Sequence, residues 1–197
     1  MITNLKINKQ NLIKILIIFL LFFLSANVFA RGKRGVDYFL KPQLGLWFGP
    51  ITPIYSSYYD VDINLGGGAY FRYNTIINTL KIGVESTYQN FESEGVNTLT
   101  LCPVYANLIY RIPINAPLKF QFKAGAGTTY IRIRPDRVDQ WDPLGMLGIE
   151  MSFAAGPIFN IGLRIDYLLI YEKHIKGASR NGHILNTGIT LFFNIGG

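Results

Sequence analysis

Few residues of this chain have the types and spacing that catalysis requires, and the best candidates lie near its C-terminus. His174 and His183 are its two histidines, and Glu172 and Ser179 lie close to them in sequence. A serine nucleophile needs a histidine within hydrogen-bond reach, and that histidine needs an orienting acid. Their spacing matches no triad motif, and residues grouped in one loop form a poorly preorganised site. We therefore interpret them as solvated loop residues and predict no catalytic site and no enzyme.

Metal and cofactor sites have no better support in the sequence. The two histidines and the single Cys102 show no spacing that is typical of metal ligands. Gly66-Gly67-Gly68 could suggest a phosphate-binding loop, but it lies inside an alternating segment, and no lysine or predicted helix follows directly. We predict that the protein uses no metal and no cofactor.

The elements around these residues are identified by an alternation with a period of two. From Val61 to Tyr73, apolar residues occupy one face, while polar residues and glycines occupy the other, as in a strand whose side chains point to opposite sides. Similar segments recur to the C-terminus. They predict eight strands, over 37–48, 60–73, 79–91, 98–112, 118–132, 144–155, 158–171 and 183–195.

The connections between these segments alternate in character. Those at 73–78, 111–117 and 155–157 are short or contain proline, whereas those at 49–59, 92–97, 133–143 and 172–182 are mostly longer and more polar. Outer-membrane barrels have short periplasmic turns and longer extracellular loops. The sequence therefore predicts an all-β fold, an eight-stranded antiparallel up-and-down transmembrane β-barrel.

Aromatic residues, which make up 14% of the chain, predict where the membrane surfaces lie. Such rings collect at both membrane interfaces. The topology places one set at the periplasmic rim, namely Tyr38, Phe71, Tyr73, Tyr110, Phe120, Phe153 and Phe159. It places a second set near the outer rim, namely Phe48, Tyr88, Phe91, Tyr130, Tyr167 and Tyr171. A soluble β-sandwich or a lipocalin-like barrel is the alternative, but it would need charged residues outside and apolar residues inside.

The interior of an eight-stranded barrel is just wide enough for side chains to fill. Inward parity collects the charged residues Lys41, Asp62, Arg72, Lys81, Glu85, Arg111, Lys119, Lys123, Glu150, Arg164 and Asp166. Buried charges must be paired, because desolvating a lone charge is very costly. We predict an ion-pair network that plugs the lumen, formed by Lys81, Glu85, Glu150, Arg164 and Asp166 and centred on Glu85, Glu150 and Arg164. Structural filling is the main interpretation, and a narrow, gated or water-filled path is the alternative.

The first 30 residues indicate export. Lys6, Lys9 and Lys14 form a basic start, an apolar run covers 15–24, and Val28 and Ala30 occupy the positions that a signal peptidase recognises. We predict a signal peptide over 1–30 and a barrel domain over 31–197. An uncleaved anchor is the alternative, although the apolar run is shorter than the roughly 20 residues that a spanning helix needs. Much of the net charge of +7 therefore belongs to targeting, and we predict no nucleic-acid partner.

The last predicted strand carries a pattern of its own. Asn186, Gly188, Leu191 and Phe193 occupy the defined positions of a polar-x-Gly-x-x-apolar-x-apolar motif. With this strand, the strand count and the alternation, the mature chain resembles the small OmpA/OmpX-type outer-membrane barrels. The resemblance implies an outer membrane of a diderm bacterium and recognition of this strand by the barrel assembly machinery. The chain differs in that four residues follow Phe193, whereas that family usually ends on the aromatic residue.

Basic residues gather at the outer ends of the last four strands. They are Arg132, Arg134, Arg137, Lys173, Lys176 and Arg180. Because arginine presents a rigid fork suited to phosphate, these residues are candidate contacts for outer-membrane lipid, in particular for lipid A phosphates; ordinary solvated loops are the alternative. The first predicted loop is rich in Tyr and Ser, which are common in recognition surfaces, so a host or envelope protein is a second candidate ligand.

Three functions from different classes are consistent with these features. The leading hypothesis is a non-enzymatic barrel with a structural or surface-binding role, whose loops are exposed outside the cell. The second is a small porin-like permeability protein. The third is a lipid A-modifying enzyme, which the resemblance admits because some eight-stranded outer-membrane barrels are lipid A deacylases or palmitoyltransferases.

Overall fold

The computed structural model describes residues 38–54, 63–92, 98–114, 116–135, 137–156, 158–171 and 181–195. Within these ranges the chain forms a short 3-10 helix, Tyr38–Leu40, and a closed barrel of eight antiparallel strands. The strands are β1 (Gln43–Pro53), β2 (Asn64–Asn74), β3 (Leu80–Glu92), β4 (Thr98–Arg111), β5 (Lys119–Arg134), β6 (Val138–Ala154), β7 (Phe159–Tyr171) and β8 (Asn181–Asn194). The eight-stranded all-β barrel predicted from the alternation is confirmed. No helix of the described residues is long and apolar enough to cross a membrane.

The sheet closes where β1 pairs with β8. Gln43 lies opposite Asn194 at one end of this seam, and Pro53 lies opposite Ile184 at the other. The Gln43 side-chain amide also donates to Asn194 Oδ1 over 3.1 Å. Closure leaves neither strand as an unpaired edge. An even number of strands brings both ends of the chain to the same end of the barrel. The end with Gln43 and Asn194 is therefore the periplasmic one in an outer-membrane barrel.

The outward face of the barrel is an apolar belt. Leu46 on β1 and Leu147 on β6 are 63% and 62% exposed, and large apolar side chains of the other strands are exposed beside them. A closed sheet that presents such a surface requires hydrocarbon around it. At the periplasmic end the rings of Phe159 and Phe193 lie 5.2 Å apart, where the sequence predicts an aromatic rim.

The first strand differs from its prediction at both ends. Tyr38–Leu40 is a 3-10 turn, and β1 begins at Gln43, directly after Pro42. A proline has no N–H for the ladder, so it is found at the start of strands rather than inside them. Since β1 extends to Pro53, Phe48 lies near the middle of this strand, opposite Gly67 and Ile189, and not at its outer end as the predicted strand has it.

The predicted loop over 133–143 is also mostly strand. β5 and β6 pair as far as Ile133 opposite Val138, so these two strands form a tall hairpin with a short turn. Pro143 and several polar residues of this segment are typical of loops, which concealed the continuing alternation.

The two faces of the barrel exchange polarity at the extracellular end. Asn90 on β3 and Thr100 on β4 face outward, and Thr100 Oγ1 donates to Asn90 Oδ1 over 3.0 Å. Phe91 and Leu99 beside them point inward and are buried. The prediction that Phe91 belongs to the outer aromatic rim is wrong, because its position in β3 has inward parity and its side chain is buried in the apolar interior.

The same exchange occurs on β5. Arg132 is exposed on the outer face, whereas Ile131 and Ile133 are fully buried inside. The barrel therefore continues beyond the membrane as a water-exposed barrel with an apolar core. The apolar interior residues of this end are Ile51, Phe91, Leu99, Leu101, Ile131, Ile133, Leu144, Met146, Leu168, Ile170 and Ile184.

The close approach of β4 to β5 gives a first testable prediction. A Cβ atom on Gly127 would lie 2.2 Å from the Val104 carbonyl oxygen and 2.5 Å from Tyr105 Cα, whereas one on Gly145 would meet nothing within 4 Å. We expect Gly127→Ala to lower the free energy of unfolding by about 1–3 kcal/mol, the usual cost of overpacking, and Gly145→Ala to change it little. Urea unfolding in lipid vesicles, followed by tryptophan fluorescence, measures both. Equal effects would contradict the described approach of the two strands.

Candidate functional site: the charged lumen and the outer rim

A chain of side chains with alternating charge crosses the middle of the lumen. Arg72 on β2 makes two hydrogen bonds to Glu150 on β6, at 2.8 and 2.6 Å. Lys123 Nζ on β5 lies 3.7 Å from Glu150 Oε2 and 2.7 Å from Asp166 Oδ1 on β7. Each of these charged groups is buried and lies beside a group of opposite sign, which buried charges require.

The chain of charges continues from β7 to β3. Arg164 forms an ion pair with Asp166 on its own strand and donates to Glu85 Oε1 over 2.6 Å. Tyr105 Oη lies 3.4 Å from the same guanidinium nitrogen. Three carboxylates therefore lie among three cations, and this group of six, Arg72, Glu85, Lys123, Glu150, Arg164 and Asp166, is called the ion layer below.

Aromatic rings hold the two arginines of the ion layer. Arg72 Cζ lies 4.1 Å from the centroid of the Tyr70 ring, and Arg164 Cζ lies 4.7 Å from that of Trp47. The Tyr70 hydroxyl in turn hydrogen-bonds to Thr190 on β8. A guanidinium over a ring face is attracted by its quadrupole, more strongly where water is excluded. The rings thus fix the arginines and fill the lumen around them.

A second group closes the periplasmic mouth. Phe39 of the 3-10 turn is 5% exposed and lies between two cations, with Lys81 Nζ 4.8 Å and Arg111 Cζ 4.5 Å from its ring centroid. Lys81 also donates to the carbonyl oxygen of Lys41. The contacts described for Lys81, which the sequence places in the central network, are thus with this periplasmic cap.

The outer rim carries an exposed cluster on the β5–β6 hairpin. Tyr130 and Trp141 lie opposite each other, with ring centroids 5.3 Å apart. Above them, Arg132 Nε donates to Asp139 Oδ1 over 3.2 Å, and Arg134 donates to Asp139 Oδ2 over 3.0 Å. Tyr130 Oη also donates to Asp139, over 2.9 Å. These five residues are called the rim cluster below.

The carboxylate of Asp139, which lies beyond the membrane, is held in its charged form. Hydrogen bonds from Arg134, then from Tyr130 and Arg132, lower the pKa of this carboxyl below its ordinary 3.8. A lowered pKa in the folded state stabilises the fold above the unfolded pKa, and this contribution is lost as the pH falls through the folded pKa. The rim cluster therefore keeps its ion pairs at neutral pH.

The remaining predicted site residues have varied positions. Arg137 lies in the turn between β5 and β6, while Lys173, Lys176 and Arg180 lie outside the described residues, as do Glu172, His174 and Ser179. His183 on β8 faces outward, and its Nδ1 is hydrogen-bonded to Tyr167 Oη.

The residues of the predicted assembly signal lie along β8. Asn186 is buried in the lumen, whereas Leu191 and Phe193 are 41% and 51% exposed on the membrane face. Phe193 lies opposite Leu44 at the seam and opposite Phe159 on β7. Gly188 approaches the backbone of Phe48 so closely that a Cβ atom would lie 2.5 Å from its carbonyl oxygen. Recognition of this strand by the assembly machinery remains a prediction.

Sequence reasoning missed several partners in these groups. Arg72 and Lys123 have inward parity, but their contacts link strands that are not all neighbours, so parity alone does not select them. Asp139 and Trp141 fell in a predicted loop, although they share a face two positions apart. Phe39 lies before the first strand, and its neighbouring cations on β3 and β4 are far away in sequence. Among the described residues, no group of His, Cys, Asp and Glu could hold a metal ion.

The ion layer gives a second prediction. Glu150→Gln removes the carboxylate that lies between Arg72 and Lys123, and we expect it to lower the free energy of unfolding by about 3–5 kcal/mol, because the buried Arg72 loses its ion-pair partner and Lys123 keeps only Asp166. Replacing Arg72 and Glu150 together with Met and Leu should cost less than the sum of the two single substitutions. Asp139→Asn in the exposed rim cluster is the control and should cost far less. A full additive loss in the double variant, measured by urea titration, would contradict the pairing.

Comparison with known proteins supports the fold. No protein-family model and no curated protein matches the sequence. Among solved structures, Neisserial surface protein A is 15% identical, over 78% of this chain and 96% of that one, with a TM-score of 0.58. Ail of Yersinia pestis is 16% identical, over 78% and 97%, with a TM-score of 0.44. OprG of Pseudomonas aeruginosa is 12% identical, over 78% and 94%, with a TM-score of 0.40.

At these identities the likeness concerns the fold, and the similarity to Neisserial surface protein A is the one that carries it. The closed barrel and its exposed apolar belt agree with that comparison. The chain therefore has the fold of the small eight-stranded OmpA/OmpX-type barrels and is an integral β-barrel protein of the outer membrane.

Proposed function

We propose that this barrel is a non-enzymatic, surface-binding protein of the outer membrane that holds anionic lipid phosphates, such as those of lipid A, at its rim cluster. The observation that carries the proposal is the position of Arg132 and Arg134, whose side chains are 51% and 39% exposed on the outward face of the tall hairpin. Neighbouring lipid headgroups can reach them there without entering the barrel.

The aromatic pair below the arginines supports this placement. Tyr130 and Trp141 have an apolar body and a polar tip, and such residues lie at the level of lipid headgroups. Arg132 is two positions further out than Tyr130 on the same face of β5, which brings its guanidinium to the height of the phosphates. Arginine binds phosphate through two parallel hydrogen bonds, which gives both strength and orientation.

Asp139 sets the strength of such binding. Its carboxylate contacts both arginines, so a phosphate competes with it for their donors. A single carboxylate between two guanidinium groups leaves a net positive cluster, and Arg137 lies in the adjacent turn. This arrangement favours reversible binding of a doubly charged phosphate over a permanently occupied site.

Binding of lipid A to the detergent-refolded protein tests the proposal. We expect the variant R132Q/R134Q to bind fluorescent diphosphoryl lipid A at least about tenfold more weakly, since each lost charge-assisted hydrogen bond contributes roughly 1.5–3 kcal/mol. D139N should bind more tightly, because both guanidinium groups lose the carboxylate that competes with phosphate for their donors. The matched control is Lys119→Gln, which removes one positive charge from the periplasmic end of the same strand and should leave binding unchanged.

Dephosphorylated lipid A separates phosphate recognition from acyl-chain binding. It should bind the unmodified protein as weakly as diphosphoryl lipid A binds R132Q/R134Q. Equal affinity for the two lipids, or equal affinity of R132Q/R134Q and the unmodified protein, would refute the proposal.

The small porin-like permeability protein is the second candidate, and the interior argues against it. A permeating solute would have to pass the cap around Phe39, the ion layer and the apolar interior of the extracellular end, all of them formed by buried side chains. Interiors of this size are normally filled.

Conductance decides between the two functions. We expect the pure, folded protein to give no discrete openings in planar-bilayer recordings, because the Phe39 cap, the ion layer and the apolar interior of the extracellular end lie one after another along the lumen. A regular unit conductance, present in the unmodified protein and absent after heat denaturation, would support the permeability function.

A further inference from the structure

A groove runs across the membrane-facing wall of the barrel. Its volume is about 640 Å³, and side chains of the apolar belt line it. The lining of its central part includes Leu108, Phe122, Ala124, Leu147, Ile149 and Tyr167.

The strand register explains the shape of this groove. Leu108, Ala124, Leu147 and Tyr167 lie opposite one another on β4, β5, β6 and β7 and form one row of outward positions. Two positions nearer the periplasm, Phe122 and Ile149 belong to the next row. The small side chain of Ala124 leaves a gap between the large side chains of this wall. The backbone beneath the gap, where Lys123 lies opposite Gly148, forms the floor of the groove.

We propose that this groove binds one acyl chain of an outer-membrane lipid. The groove lies within the apolar belt, so hydrocarbon is its surroundings. Water cannot fill it, because a buried water needs polar partners. If it stayed empty, the lining side chains would lose their dispersion contacts. A flexible hydrocarbon chain needs no polar partners and restores the dispersion contacts of the lining side chains.

The length and direction of the groove fit such a chain. From Leu108 on β4 to Leu185 on β8 the row spans four strand spacings, roughly 19 Å, which is about two thirds of the ~30 Å thickness of the hydrocarbon core. Because barrel strands are tilted by about 35–45°, a row perpendicular to them climbs across the wall. It rises from Leu108, near the periplasmic end of β4, to Tyr167, in the outer half of β7.

The upper end of the groove offers the polar contacts that the start of an acyl chain needs. Tyr167 Oη, hydrogen-bonded to His183 Nδ1, lies on the same outward face as the groove. An ester carbonyl of a lipid can accept a hydrogen bond at such a pair, while its chain continues down toward Ala124. The lining of this site extends from Leu80 on β3 to Leu185 on β8 and lies below the rim cluster, and the site does not depend on phosphate binding there.

Native mass spectrometry of the protein released from detergent containing a dimyristoyl phospholipid tests the proposal. We expect the unmodified protein to retain one lipid, and Ala124→Phe, which fills the floor, to retain it about tenfold less, since the loss of roughly ten carbon–carbon contacts corresponds to such a factor. Ala106→Phe is the matched control, because Ala106 also faces the membrane on β4 but does not line the groove. Ala124→Leu is a second variant with a smaller side chain, and heat-modifiable gel mobility verifies the folding of all three.

Two further measurements complete the test. Glycerophosphocholine, which has the headgroup without acyl chains, should not displace the retained lipid, whereas a single-chain fatty acid should. Equal lipid retention by the Ala124 and Ala106 variants would overturn the proposal. So would a dimer of the unmodified protein that Ala124→Phe dissociates, since a second copy would then be the occupant of the groove.

Discussion

The pairing of β1 with β8 is the constraint on which the other features depend. It converts an eight-stranded sheet into a tube whose interior accommodates side chains and little else. Charged side chains that point into this tube cannot reach bulk water, so each must find an opposite charge within the lumen. The continuous order of Arg72, Glu150, Lys123, Asp166, Arg164 and Glu85 is the result, and it joins five of the strands across the interior.

Because the lumen is filled, we expect the functional sites on the outer surface of the barrel. The lumen holds the ion layer in the middle, the Phe39 cap at one mouth and an apolar core at the other. What remains accessible is the outer face: the rim cluster above the membrane and the apolar wall within it. Both proposed sites therefore bind the lipid around the barrel: the rim cluster binds headgroup phosphates through charge, and the groove binds an acyl chain through its shape.

Most of the fold follows from the sequence, because an outward residue in hydrocarbon must be apolar, whereas an inward residue in the narrow lumen can be polar or charged. That contrast gave the strand count and the inward positions of Glu85, Glu150 and Arg164. This contrast fails above the membrane, where outward residues are polar and inward residues are apolar. For this reason the predicted positions of Phe91 and of the segment at 133–143 are wrong. The contrast also says nothing about which inward residues meet, since partners such as Arg72 and Glu150 lie on strands that are not adjacent.

The exchange of polarity between the two faces also fixes how deeply the protein is immersed. Inward movement along the membrane normal would bring Arg132 and Asp139 into hydrocarbon, and outward movement would bring apolar side chains at the upper edge of the belt, such as Leu169 near the outer end of β7, into water. A stiff, closed sheet cannot shorten or lengthen to compensate. In a membrane of different thickness, the lipids next to this protein must stretch or compress to match the height of its apolar belt, because the barrel itself does not change.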